Sequence, residues 1–539
     1  MAINSVKTPF QKMSFTPDVP SGALGTNEFN AGLNVETDIR GIRKVLGDQN
    51  ILSQINNDPI FVTASFRNNN VFWFVIATSN GHWYGITQSG ITDLTPNASA
   101  YIINQYTHST RITASWNGNV LFIMDTINPP MYLLPTATEI RLYDSPYNDQ
   151  TPNTYVWNYY ASAPNNWTNV SAGFQRVYSS PNIGSILVAG NLSYQVNSTQ
   201  YQLPNTIRWS QSFGLNSGPT TWAPTLTNTA NEVDVPVRGP LIDGFSLNGN
   251  FYMFSYWDCV IMTPISYTST SAPVFGISLV TQGRGLLNEN CFAINDSVAF
   301  GLDSSDIWIL NNGSFTEIGN QRVKNYFYKN LHPSYNNQVF VVNNTQRNIF
   351  EIYYPDLNST GYCNKMLGYR YDLDIWNPPR DINNAVAGVE APIYVNGVPN
   401  LSNRGVVYAH AGTGGYLVQK DQGNGFFNGG STSTINSYFQ RDNINFGEPY
   451  SNNVQVHRVL PEIYGTGTVT LQVGGAQSVG QTPTFKTTAT IAISTSSPWV
   501  QTNQNSQRVT SIIAGSNDNT NTWIISQANW QISVVEDTR

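Results

Sequence analysis

The sequence predicts an all-β protein: a β-propeller of six to eight blades, with an additional β-rich platform or sandwich layer and an extended N-terminal arm. Three observations lead there. One hairpin phrase recurs about seven times, amphipathic helix is nearly absent, and the rhythm of the chain changes after about residue 435. "AINDSVAFGLDSSDIWILNNG" (293–313) shows the phrase: an apolar run, a polar turn, then a second run carrying a Trp.

Copies anchored at Asn69, Asn117, Asn182, Asn248, Asn295, Asn344 and Asn403 lie 48, 65, 66, 47, 49 and 59 residues apart. Three of these intervals sit near the ~40–50 residues of a propeller blade, and the longer ones require insertions. Within each copy, Val, Ile, Phe and Tyr supply residues that fit a pleated, half-buried surface, and Gly, Asn and Asp supply the turn. A four-stranded sheet alone leaves a face uncovered. Sheets stacked radially about an axis bury nearly all of their faces, so the repetition is itself the fold.

The visible insertion is "SPYNDQTPNTYVWNYYASAPNNWTNVSAG" (145–173), whose dense Tyr and Trp are costly on a free surface. It reads as a contact surface on the ring or on a neighbouring subunit, with a carbohydrate-binding surface or a plain loop as the alternatives. The best helical stretch is "GNQRVKNYFYKNLH" (319–332), with Val323, Tyr326, Phe327 and Leu331 on one face. Beyond residue 435, "VQVHRVLPEIYGTGTVTLQVGGAQSV", "TFKTTATIAIST" and "TWIISQANWQISVVEDTR" read as long alternating strands. The opening "FNAGLNVETDIRGIRKVLGDQNIL" reads as an extended arm that docks on something else, such as a neighbour, and does not fold alone. The division is therefore arm 1–50, propeller 51–435 and platform 436–539.

Composition narrows the function. Charged residues are 11% of the chain, under half of an average domain's share, while aromatics reach 12%. A net charge of −7 without any Lys/Arg run argues against a protein that grips nucleic acid, which needs a basic patch. The densest basic point is Arg40, Arg43 and Lys44 in "DIRGIRK", read as solvated surface or a possible interface. Cys259, Cys291 and Cys363 are odd in number and lack a CxxC, so they read as buried small hydrophobes. "MAINSVKTPFQKMSF" lacks an apolar signal core, and runs such as "VFWFVIA" are too short to span a bilayer. The expectation is a product used without secretion and without a membrane-spanning segment.

Catalytic signals are weak, and no catalytic residue, metal or cofactor is expected. His82, His108, His332, His410 and His457 are scattered without zinc spacing, and "GTGG" (412–415) lacks the Lys and helix of a phosphate loop. Asp303, Asp306, Asp372, Asp374 and Glu390 could supply the carboxylate pair of a glycosidase, but most sit at turn edges where Asp is favoured locally. "GSNDNTNTW" (515–523) has calcium-loop spacing with a single carboxylate, Asp518.

One stretch adds an association. "NTIRWSQSFGLNSGPTTWAP" (205–224), through Trp209, Ser210, Gly218, Pro219 and Trp222, resembles a phrase of the tail nozzle (tail tubular protein B-like) proteins of short-tailed bacteriophages. "GRGLLNENC" with the hairpin after it is similar to that family's central blades, and "FNAGLNVETD" to its opening. The resemblance covers about residues 28–310. It implies a structural virion protein, a homohexameric ring ending the DNA channel below the portal and adaptor, retaining the genome and conducting DNA during ejection. Its implied partners are the portal–adaptor protein, on which the arm 1–50 would dock, tail fibres or spikes, and viral DNA in transient passage. The implied location is the virion tail, after assembly in the host bacterial cytoplasm. A receptor- or glycan-binding propeller is the alternative.

Overall fold

The structure is a computed structural model. It describes residues 3–535 except 98–100, 104, 108–109, 143–166, 181–182, 197–198, 223, 225–227, 266–274, 413, 494–498 and 503–506. The insertion at 145–173 thus falls largely outside the described residues, as do the anchor Asn182 and His108.

Five antiparallel sheets of four strands follow one another along the chain. Their first strands are Pro59–Phe66, Thr113–Asn117, Trp167–Ser180, Leu241–Leu247 and Phe292–Asn295, and each sheet runs in simple up-and-down order. A sixth sheet has seven strands, and it resolves into two blades that share a strand. The 21-residue strand Ile375–Val395 pairs through its first half with Cys363–Arg370 and through its second half with Val398–His410. It leaves blade six as the outer strand and enters blade seven as the inner one. Blade seven is completed by Asp48–Asn50, which pairs with Tyr416–Lys420, so a strand from near the N-terminus closes the ring. The propeller has seven blades, within the expected range.

Among the described residues, first turns fall where the repeats predicted, with one slip. Asn248 and Gly249 in blade four both have positive φ, the geometry of a two-residue hairpin turn that Asn and Gly tolerate. In blade seven the turn is Asn396–Gly397, and the chosen anchor Asn403 lies inside the second strand. Corrected to the turn, the interval from Asn344 becomes 52 residues. The strong "NG" signal was there; the "SNRG" that displaced it is strand.

Apart from the short pairs Ser14–Phe15 with Glu28–Phe29 and Phe426–Asn428 with Ser431–Ser433, the remaining described strands form two further sheets. Ile435–Ile444, Thr468–Ala476, Thr484–Ala492 and Val509–Asp518 form one, and Asn453–Thr466, Val500–Gln501 and Thr522–Val535 form the other. They pack face to face through Leu471, Ile512, Val459 and Trp530. The N-terminal segment, expected as an arm docking elsewhere, is woven into both. Asn4–Pro9 pairs with the last strand, Ala31–Leu33 extends the first sheet, and Val35–Thr37 with Ile42–Lys44 extends the second. The physical reason is visible in burial: Phe10, Met13, Phe15, Phe29, Val35 and Ile42 are all buried in a core shared with the platform. These apolar positions are too irregularly spaced to show as a periodic pattern.

The helix, α1 (Lys324–Asn330), buries Val323 and Phe327 as expected. Its first turn is capped from afar: the Asp18 carboxylate of the arm accepts the backbone N–H groups of Asn325 (2.6 Å) and Tyr326 (2.8 Å).

A buried charge network locks the arm to blades six and seven. Arg380, 1% exposed, donates to Asp48 (2.5 Å), to Asp421 and to the Leu46 carbonyl (2.9 Å). Lys420, fully buried, bridges Glu351 (2.9 Å) and Asp421 (2.8 Å). Arg347 joins Asp421 (2.9 Å) to Glu36 (2.8 Å), which also accepts from Arg43 (2.9 Å). Tyr408 and Tyr353 donate to Asp48 and Glu351, so these carboxylates are hydrogen-bonded as well as paired. Burial pushes the Glu36 carboxyl up, but Arg347 and Arg43 outweigh it and hold it at about 2.

Two predictions follow from this lock. Lys420→Ala leaves Glu351 and Asp421 short of a buried cation and is expected to cost about 3–5 kcal/mol in urea unfolding, whereas Arg40→Ala leaves the midpoint unchanged. Because the Glu36 pKa is depressed on folding from 4.5 to about 2, its contribution is complete above pH 4.5 and is lost as pH falls toward 2. Glu36→Gln is therefore expected to lower stability at pH 7 by about 3 kcal/mol and to flatten the acid dependence between those limits, read by thermal unfolding across pH.

Candidate functional site at the propeller axis

The innermost strands converge on a cavity of about 230 Å³ at the end of the axis where those strands begin. Its lining mixes apolar residues, among them Ile60, Ile112 and Val389, with polar ones, among them Thr63, Arg176 and Glu289.

One arginine organises this end. Arg176, on the inner strand of blade three, forks onto Asp243 of blade four with both contacts at 2.6–2.8 Å. It also donates to the Ala114 carbonyl of blade two (2.5 Å) and to the Asn290 side chain before blade five (2.9 Å). Asn290, itself at φ 63°, returns a bond to the Ile112 carbonyl (3.0 Å) and donates its backbone N–H to Asp243 (3.1 Å). Four blades are thus joined through one guanidinium, whose flat face lies over Phe292 at 5.3 Å. Asp243 is fully buried and Arg176 nearly so, which makes this a low-dielectric pair.

Beside it stands Glu289, buried, whose Oε2 has no hydrogen-bond partner and lies 3.6 Å from Arg111 Nε. Burial pushes this carboxyl up, and Arg111 only partly opposes the shift. Arg111 also donates to the Tyr256 hydroxyl at 3.1 Å. Neither Arg176 nor Glu289 was foreseen. Each is a lone charge in a β-rich run, "GFQRVY" and "LNENCF", and no local pattern distinguishes an axial residue from an exposed one.

The residues singled out from sequence lie elsewhere. Lys44 is buried and pairs with the Asp518 carboxylate (3.0 Å) and its carbonyl (2.9 Å). Arg43 pairs with Glu36, and only Arg40 presents its guanidinium largely to solvent. The basic cluster thus serves chiefly an interface within the chain, between arm and platform. Asp518 also caps its own turn by accepting the N–H groups of Thr520 and Asn521. Asp303 accepts from Ser305 and Asp306 (2.6 and 2.9 Å), as turn aspartates do. Asp306 pairs with Lys324, Asp372 with Arg370 and Asp374 with Arg322. Glu390 accepts the Thr345 N–H at 2.9 Å.

His410 is buried against the Asn383 carbonyl, and burial lowers its pKa. His82, His332 and His457 make separate local contacts with Thr95, Ser334 and Ser533. The three cysteines are free and buried, and burial pushes their thiols well up. Among the described residues no three His, Cys, Asp or Glu side chains converge as a metal site, and no described helix is long and apolar enough to cross a membrane.

The radial sheets closed by an N-terminal strand define the chain as a β-propeller. No family model matches it, nor does any curated protein. Among solved structures it is similar to BBS1N in complex with ARL6DN, at 9% identity and a TM-score of 0.39, covering 70% of this chain and 97% of that one. It is also similar to the Dos1 propeller (9%, TM-score 0.35, 69% and 79%) and to BamB from Moraxella catarrhalis (9%, TM-score 0.35, 72% and 96%). The likeness is one of general shape; the blade count rests on the strand pairing described above.

The Arg176 hub is testable by stability alone. Arg176→Met strands a buried Asp243 charge and is expected to cost about 3–5 kcal/mol, and the further change Asp243→Leu is expected to recover much of it. Chemical denaturation of both variants makes the comparison.

Proposed function

We propose that the chain is a structural virion protein, the subunit of the tail nozzle ring that ends the DNA channel of a short-tailed bacteriophage. In this reading six copies form a ring below the portal and adaptor, carry tail fibres or spikes, retain the genome and conduct DNA during ejection. The ring assembles in the host bacterial cytoplasm and functions in the virion tail.

The observation that carries the reading is the resemblance of residues 205–224 to the nozzle family, on a chain built as a propeller with a second β layer. That phrase is core architecture. Trp209 and Trp222 are buried, Ser210 Oγ accepts the Leu187 N–H at 3.0 Å, and Trp209 Nε1 donates to the Thr229 carbonyl at 2.6 Å. The phrase therefore bears on fold first and on function through kinship.

Charge supports the same reading. Six copies at −7 each carry a formal −42, which disfavours trapping of a passing duplex. The propeller axis is narrowed by the Arg176 hub to a cavity far smaller than a duplex, so a DNA conduit lies between subunits and not through each propeller.

Negative-stain electron microscopy of the purified protein, alone and mixed with portal and adaptor, tests the proposal. A closed ring with axial symmetry seated on the adaptor is expected. Isolated monomers in both samples, or tight duplex binding that salt does not weaken, would sink it.

A further inference from the structure

We propose that the cleft where arm, blade six and platform meet binds one small organic monocarboxylate with an apolar body. This inference stands on the cleft alone and is independent of the nozzle reading.

The cleft has a volume of about 190 Å³ and is lined by Arg43 and Leu46 of the arm, Arg347 of the first turn of blade six, and Tyr464 and Thr522 of the platform. Its polar wall is cationic where it meets solvent. Both guanidiniums converge on the Glu36 carboxylate: Arg347 Nη1 lies 2.8 and 3.0 Å from its two oxygens, and Arg43 Nη2 lies 2.9 Å from one of them. Arg347 Nη1 also reaches Asp421 at 2.9 Å, and Arg43 Nε lies 3.9 Å from Asp38. The other amino group of each, Arg347 Nη2 and Arg43 Nη1, has no hydrogen-bond partner among the described residues, and neither is sealed from solvent. The third cation in the lining, Lys44, is engaged by Asp518.

The charges of this junction balance in number, but they are layered. The side chains of Arg43 and Arg347 are 27% and 22% exposed, against 7% for Glu36 and 12% for Asp421. The acids lie behind the cations, so a molecule entering the cleft meets donors. Glu36 itself reports the local field: burial alone would raise its carboxyl, yet Arg347 and Arg43 hold it at about 2. Two amino groups side by side suit the two oxygens of a carboxylate.

The rest of the wall sets the body of the ligand. Leu46 and Tyr464 are both exposed, and the Tyr464 hydroxyl is already engaged by Glu462, which leaves its ring as an apolar contact. A compact inorganic anion would satisfy the guanidiniums and leave these two side chains wet. A cation would meet two like charges.

Ligand-observed saturation-transfer NMR on the full chain with benzoate tests this, with benzamide and benzylamine as its neutral and cationic counterparts and inorganic phosphate as a competitor. Benzoate is expected to bind with a dissociation constant of about 1 mM at low salt, the range for a ligand of this few atoms, and more weakly as salt is raised. Benzamide and benzylamine are expected to bind at least tenfold more weakly, and equimolar phosphate is expected not to displace benzoate. Arg43→Gln is expected to weaken benzoate at least fivefold. Leu46→Glu, which sets a competing carboxylate in the cleft, is expected to abolish binding. Arg40→Ala, outside the cleft, is expected to leave it unchanged.

Circular dichroism and the melting temperature establish that each variant is folded. If Leu46→Glu fails to fold, Tyr464→Glu places the competing carboxylate from the platform side. The proposal is overturned if benzoate gives no saturation transfer, if benzamide or benzylamine binds as well, if phosphate displaces benzoate at equal concentration, if Arg40→Ala weakens binding as much as Arg43→Gln, or if binding survives in a folded variant carrying the competing carboxylate.

Discussion

Arg380 can be held only where both ends of the propeller are in place. Its guanidinium is 1% exposed, and its acidic partners are Asp48, from the N-terminal strand that closes blade seven, and Asp421, from the end of the last propeller strand. A buried arginine with either partner missing is an uncompensated charge in a low-dielectric interior, worth several kcal/mol. Ring closure is therefore enforced electrostatically as well as by the three paired residues Asp48, Gln49 and Asn50. In a chain with only 11% charged residues, placing Glu36, Asp48, Arg347, Glu351, Arg380, Lys420 and Asp421 at one junction is a concentrated use of a scarce resource.

The same junction fixes the platform. Asn34, fully buried and at φ 54°, donates to the Asp381 carboxylate (2.7 Å) and to the Asn436 carbonyl (2.8 Å), and accepts the Asp381 N–H. One side chain of the arm thus touches the outer strand of blade six and the first platform strand. Ser14 adds a bond from the Trp376 N–H at 3.1 Å. Platform and propeller share one apolar core, including Trp308, Trp376, Trp523 and Trp530, and the arm runs between them. The arm is the seam of the molecule. Residues 4–50 make few contacts with each other and many with chain that follows hundreds of residues later.

This explains what the sequence disclosed and what it withheld. Blades were legible because their information is local: a β-rich run, a turn with Asn or Gly at positive φ, and a second run lie within about twenty residues. The helix was legible for the same reason, through Val323, Phe327 and Leu331 on one face. The platform showed through alternation, as in "TVTLQV". What was hidden depends on contacts remote in sequence. Nothing near Ile375–Val395 indicates that one strand serves two blades, because a continuous strand looks the same whether its partner changes halfway or not. Arg40, Arg43 and Lys44 stood out because three cations lie close together. The acids that engage them include Asp518, 474 positions beyond Lys44, so the internal role could not be inferred from spacing.

Axis and junction answer one geometric problem in two ways. Seven twisted sheets cannot all meet apolar-to-apolar at the centre, because inner strands diverge as they leave the axis. At the junction the gap is filled by paired charges, among which Arg380 Nε is left without a hydrogen-bond partner. At the axis Arg176 and Asp243 are mutually satisfied, while the buried Glu289 Oε2 has Arg111 at 3.6 Å and no hydrogen-bond partner. Lys420 completes the corresponding contact for Glu351. Both sites thus hold charge in the interior by pairing it across blades, and each leaves a buried polar atom unpaired.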